Sequence, residues 1–67
     1  MNTLPDLGTL WTHSRHGLVM LLGIRSQGIT SWGETLYTFD VLRLKDNFKT
    51  EGIFALSDWD AQFTHVA

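Results

Sequence analysis

The chain has 67 residues, 43% hydrophobic and 18% charged, and seven Asp+Glu against five Lys+Arg give a formal charge of −2. So short a chain buries only about 60% of its unfolded surface, and natural domains below roughly 70–80 residues often lean on disulfides, a metal or a partner chain; the absence of cysteine removes disulfides and thiolate metal sites. The hydrophobic content argues against disorder, the acidic balance disfavours nucleic acid as a partner, and the longest apolar run, Leu18 to Leu22, is far short of the ~20 residues that span a bilayer.

Met1–Asp6 has no positive stretch followed by an apolar one, so it does not read as a secretory signal. An intracellular rather than secreted setting is expected. Pro5-Asp6 reads as a turn into a first strand over Leu7–Thr12, with Leu7, Thr9 and Trp11 on one face. His13-Ser14-Arg15-His16-Gly17 is polar and suits a hairpin loop, with Gly17 supplying a left-handed conformation. The stretch Leu18–Arg25 is apolar on both faces and is too short and glycine-interrupted for a stable helix. It is expected to be a strand with a bulge or bend at Gly23, ended by Ser26-Gln27-Gly28.

A loop over Gly28–Gly33 carries Ile29 and Trp32, and the clearest strand comes next, Glu34–Leu44. Its Tyr37, Phe39 and Val41 alternate with Thr38 and Asp40, as in a half-buried strand. The phase then flips to Leu42 and Leu44, which predicts a bulge or a passage between sheets near Val41-Leu42. Lys45–Gly52 is polar with a turn signal at Asp46-Asn47, and Ile53–Leu56 forms a short strand. Ser57–Asp60 suits one capped turn, of 3-10 type, with Trp59 anchored in the core. Gln62–Val66 closes the fold as a strand with Phe63 on one face. The expectation is one all-β domain over residues 1–67, a small five-stranded sandwich or barrel.

Little in this order of residues points to catalysis. His13, His16 and His65 invite a metal site, yet a zinc site needs three or four ligands that the sequence does not bring together. Solvated loop histidines explain the same residues. Asp58 and Asp60, two apart in a tight turn, point in different directions and suit capping better than acid–base work. The serines lie in no nucleophile signature and the glycines in no phosphate-binding pattern. No cofactor is expected, and no enzyme.

Contact with other macromolecules is better supported. Arg15 and His16 sit in the first loop, and Arg43, Lys45 and Lys49 cluster near Phe48, a pattern that small barrels use to hold single-stranded nucleic acid. The interleaved Asp46 and Glu51 fit a solvated mixed-charge loop instead. Trp11, Trp32, Trp59 and Phe48 are too large to be buried together in so small a core, and Trp32 and Phe48 fall in expected loops. Exposed aromatics are enriched at protein interfaces, though these two could also cap the ends of a barrel.

The segments Asp6–Trp11, Gly17–Leu22, Trp32–Phe39 and Glu51–Asp58, in this order, resemble small SH3-like barrels, particularly short proteins of tailed bacteriophages. Leu18–Leu22 is more apolar than the second strand of such barrels, which leaves open whether another chain covers one strand edge or face. The resemblance implies a virion or host-cytoplasmic location and a structural or assembly role through protein–protein contact, homo-oligomer included. A second implied role is a host-directed inhibitor of an enzyme such as RNA polymerase, docking through Asp46, Glu51, Asp58 and Asp60. Nucleic-acid binding comes third.

Overall fold

The computed structural model describes residues 4–67. Chain order runs β1 (Leu10–His13), β2 (Gly17–Ile29), β3 (Thr35–Arg43), β4 (Phe48–Ala55), α1 (Leu56–Gln62) and β5 (Phe63–His65). The strands form one antiparallel five-stranded sheet in the order β4-β3-β2-β1-β5. This arrangement is all-β with five strands and one short helix, as expected, and it is consistent with an SH3-like barrel that is not closed. No ladder joins the two edge strands β4 and β5. The sheet curls until Phe54 of β4 and Phe63 of β5 meet at 5.8 Å between ring centroids, and α1 crosses the remaining gap.

Packing of aromatic rings explains the curl. Trp59 of α1 is fully buried between Phe39, stacked at 4.3 Å and 6°, and Phe63, stacked at 3.9 Å and 14°. Trp11 meets it edge-on at 5.3 Å and Phe54 at 6.0 Å. Val19, Leu21 and Val41 complete the core. Gly52 lies opposite Phe39 in the ladder, and the Phe54 ring covers it so closely that an added Cβ would sit 2.8 Å from that ring. Tyr37, expected in the core with Phe39 and Val41, is only half-buried at its margin.

Gly17 takes φ +69° to close the β1–β2 turn, as expected, and Asn47 takes φ 54° in the β3–β4 turn. Several boundaries differ from the sequence reading. The stretch before Leu10 is a turn: Gly8 is left-handed and Thr9 Oγ1 donates to the Asp6 carbonyl at 2.6 Å. Only single bonds, Gly8 N–H to Leu21 O and Leu21 N–H to Thr9 O, extend the ladder there. β2 does not stop at Ser26-Gln27-Gly28; it pairs with β3 as far as Ile29, with register shifts at Leu21/Gly23 and Ser26/Gly28. β4 begins at Phe48, so most of the polar Lys45–Gly52 stretch is strand. Ser57–Asp60 belongs to an α-helix of seven residues, not a 3-10 turn, and no side chain caps its start.

The bulge expected near Val41-Leu42 is absent from β3, which pairs with β4 in unbroken register. It lies on the neighbouring strand, where Leu22 is the extra residue opposite the Val41–Asp40 step. The phase flip has another cause: Leu42 is on the outer face of the sheet, and that face is apolar too.

Candidate functional site

Residues directly opposed in an antiparallel ladder share a face, so the register defines the outer surface. Leu10 opposes Met20, Met20 opposes Leu42, and Thr12 opposes Leu18 in the next row. Leu22 lies on the same stretch of β2. Leu18 and Leu22 are 40% and 37% exposed, and Leu10, Met20 and Leu42 are half-buried. No helix or strand of the described chain covers this side, since α1 packs on the inner face. Lys49, opposite Leu42, borders the patch, and Arg25 reaches Asp40 at 3.5 Å and Glu51 at 3.3 Å toward its other end.

A second apolar feature is the tip of the β2–β3 hairpin, where Ile29 and Trp32 are 72% and 76% exposed. The tip is tied to the body. Trp32 Nε1 donates to Glu34 Oε1 at 3.2 Å, and Ser57 Oγ donates to Glu34 Oε2 at 2.8 Å. Glu34 N–H and Thr30 Oγ1 close the loop at 3.0 Å. One carboxylate thus holds the exposed indole and the first turn of α1 together.

The opposite end gathers the expected basic residues. Leu44 N–H donates to Leu18 O at 3.1 Å, which sets the β3–β4 turn beside the β1–β2 turn. His13 is not a loop residue. It ends β1, its ring lies 4.7 Å from both His16 and Phe63, and its Nδ1 accepts from the N–H groups of Arg15 and His16 at 3.0 and 3.4 Å. Partial burial pulls the His16 pKa down, helped by His13, Arg43, Lys45 and Arg15. Arg15, His16, Arg43 and Lys45 therefore share one neighbourhood. Lys49 stands apart at the outer apolar face.

Within that neighbourhood Arg43 is already engaged. Its Nε and Nη2 reach the two oxygens of Asp46 at 2.9 and 2.7 Å, and its guanidinium lies 5.1 Å from the Phe48 ring centroid. The Arg43 hydrogen bond holds the Asp46 carboxyl below the usual carboxylate range. Phe48 is 53% exposed despite that cover. Arg15 and Lys45 have no ion pair among the described residues. A groove of about 710 Å3 opens beside them, lined by His13, Arg15, His16, Phe54 and Phe63 among others.

Chemistry-bearing groups are mostly engaged in structure. Asp46 pairs with Arg43 and Glu51 with Arg25, while Asp58 and Asp60 are exposed on α1, so these four carboxylates are spread over three places. Among the described residues no three His, Asp or Glu side chains come together as metal ligands, and no helix is long and apolar enough to cross a membrane. Among the described residues two buried polar atoms, Trp59 Nε1 and Thr38 Oγ1, have no protein hydrogen-bond partner.

Of the residues singled out from sequence, Trp32 and Phe48 are exposed as expected, at opposite ends of the molecule. The outer leucine face does not stand out as a site in the sequence; its signal is present in Leu18–Leu22, apolar at every position, and in the phase flip to Leu42. Comparison with protein-family models, with curated proteins and with solved structures finds no match.

Proposed function

We propose that the chain is a non-enzymatic protein–protein interaction module, a small structural subunit of a larger protein assembly. The observation that carries this is the outer face of the sheet, where Leu10, Leu18, Met20, Leu22 and Leu42 form one apolar surface with no cover from the described chain itself. Contiguous apolar surface of this kind marks protein contact, and aliphatic side chains with a charged rim suit the buried centre of an interface. The likeness of the strand-and-turn pattern to small barrels of tailed bacteriophages makes a phage particle the proposed assembly. Its partners are other protein chains, and its place is the virion or the host cytoplasm.

Sedimentation from cells in which the chain is produced with its native genome tests this reading. The wild-type chain is expected to travel with a large assembly. The double variant Leu18→Lys, Leu22→Lys is expected to stay at the top of the gradient with an unchanged far-UV circular dichroism spectrum. A wild-type chain that stays at the top overturns the proposal.

A further inference from the structure

Charge is distributed unevenly along the molecule. Three of the five Lys and Arg residues, Arg15, Arg43 and Lys45, lie in or next to the β1–β2 and β3–β4 turns, and Lys49 follows within two residues on the outer face. Asp46 is the one carboxylate there. The hairpin tip, in contrast, holds Glu34 and contains no Lys or Arg, and α1, with Asp58 and Asp60, runs from Ser57 beside that tip to Ala61 and Gln62 in the lining of the groove at the basic end. Ten residues of β2 separate the Val19↔Arg43 pair from the Ile29↔Thr35 pair, roughly 30 Å at 3.3 Å per residue. That span exceeds the Debye length of about 8 Å at physiological salt, so the two ends of one molecule contribute almost nothing to each other. Their charges can attract strongly only between molecules.

The shapes at the two ends are also different. One end projects: Ile29 and Trp32 stand out from the hairpin, and Glu34 fixes the indole. The other end recedes into the groove of about 710 Å3, with His13, Phe54 and Phe63 rings in its lining and Arg15 among its lining residues. The lining is mostly polar, with the His13, Phe54 and Phe63 rings as its aromatic part, and Trp and Arg are the side chains that most often dominate a contact energetically.

We infer that copies of this chain associate head to tail, the Ile29–Trp32 tip of one copy seated in the His13–Arg15–Phe63 groove of the next with Glu34 facing Arg15. The inference rests on the reading of the chain as an assembly subunit and uses different surfaces from the outer leucine face. Because the two surfaces are unlike, the contact is heterologous and propagates into a ring or a filament instead of closing as a two-fold dimer.

The test is analytical ultracentrifugation of the purified chain at low and high salt. The wild type is expected to show a mass that rises with concentration and falls with added salt. Trp32→Ala and Arg15→Glu are each expected to weaken association about thirtyfold. Each variant keeps one working surface, so an equimolar mixture is expected to form a one-to-one dimer at concentrations where each alone is monomeric. A wild type that is monomeric throughout overturns the inference. So does association that survives both variants but is lost in Leu18→Lys, Leu22→Lys, which leaves the assembly role standing on the outer face alone. Retention of the wild type on single-stranded DNA, lost in Arg15→Glu, assigns the groove to nucleic acid and overturns it as well. Circular dichroism identifies any variant that fails to fold, and Trp32→Leu and Arg15→Gln then replace it.

Discussion

Both faces of strands β1 to β3 carry apolar rows, but the described helix and strands cover only one of them. Inward, Val19, Leu21, Phe39 and Val41 meet Trp59 and Phe63, delivered by α1 and β5, and are buried. Outward, Leu18, Met20, Leu22 and Leu42 alternate with those same residues, and no described helix or strand packs on them. The difference arises beyond β4. One aromatic-bearing segment returns across the inner face, and no described segment crosses the outer one. In so small a domain the inner face must supply nearly all the folding free energy, which leaves the outer face free to serve a contact.

The largest expected break in this comparison is on the inside. Trp59→Ala removes the ring stacked between Phe39 and Phe63 and is expected to cost about 3–5 kcal/mol. Against a total of about 5 kcal/mol for so short a domain, urea denaturation should show a chain largely unfolded. Gly52→Ala comes next. Its Cβ would meet the Phe54 ring at 2.8 Å, and overpacking of this kind costs about 1–3 kcal/mol, visible as a lower melting temperature.

Outside, the same strands should respond in the opposite way. Leu18→Lys and Leu22→Lys are expected to leave monomer stability within about 0.5 kcal/mol in urea melts, and to abolish assembly. A cost of several kcal/mol for either variant breaks the comparison, because it means the outer face helps hold the monomer together.

The smallest effect concerns the turn beside that face. Asp46 titrates below its ordinary value because Arg43 hydrogen-bonds its charged form. A carboxyl depressed in the folded state stabilises above its unfolded pKa, about 3.9, and loses that contribution as pH falls through the lower folded value. The melting temperature of Asp46→Asn should therefore sit slightly below wild type at neutral pH, with the gap closing in strong acid. A gap that is unchanged at acid pH assigns the role of Asp46 to its neutral hydrogen bonds, such as the one from Phe48 N–H.

Much of the fold is legible where chemistry and conformation coincide. Gly17 takes the left-handed conformation its turn demands, Gly23 adjoins a bulge, and Trp59 in a short apolar-flanked segment is core. Two of the boundaries that differ share one cause. Ser26-Gln27-Gly28 and Lys49–Gly52 are polar, and polarity reports exposure, whereas strand pairing depends on backbone partners that a neighbouring strand supplies. An arm projecting from the core and an edge strand are both exposed and paired. The helix at Leu56–Gln62 reads as a turn in the sequence because Ser57 and Asp58 look like caps, yet neither caps it.

The site is legible only in part for a similar reason. Aromatic and basic residue types single out Trp32, Phe48, Arg15, His16, Arg43, Lys45 and Lys49, but whether these meet depends on the turn-to-turn contact of Leu44 with Leu18. The outer leucines read as ordinary core until the register assigns them a face. Leu42 in particular reads as a sign of a bend in its own strand, whereas it lies on the outer face of a β3 that keeps unbroken register with β4.

The most direct test of the outer face is a photoreactive amino acid placed at Leu22 and, as a control, at exposed Asp60 on α1. After irradiation in cells where the chain is produced with its native genome, an adduct with a protein other than this chain is expected from position 22 and none from position 60. Equal adducts at both positions, or none at either, would contradict the claim that the uncovered leucine face is where this protein meets its partner.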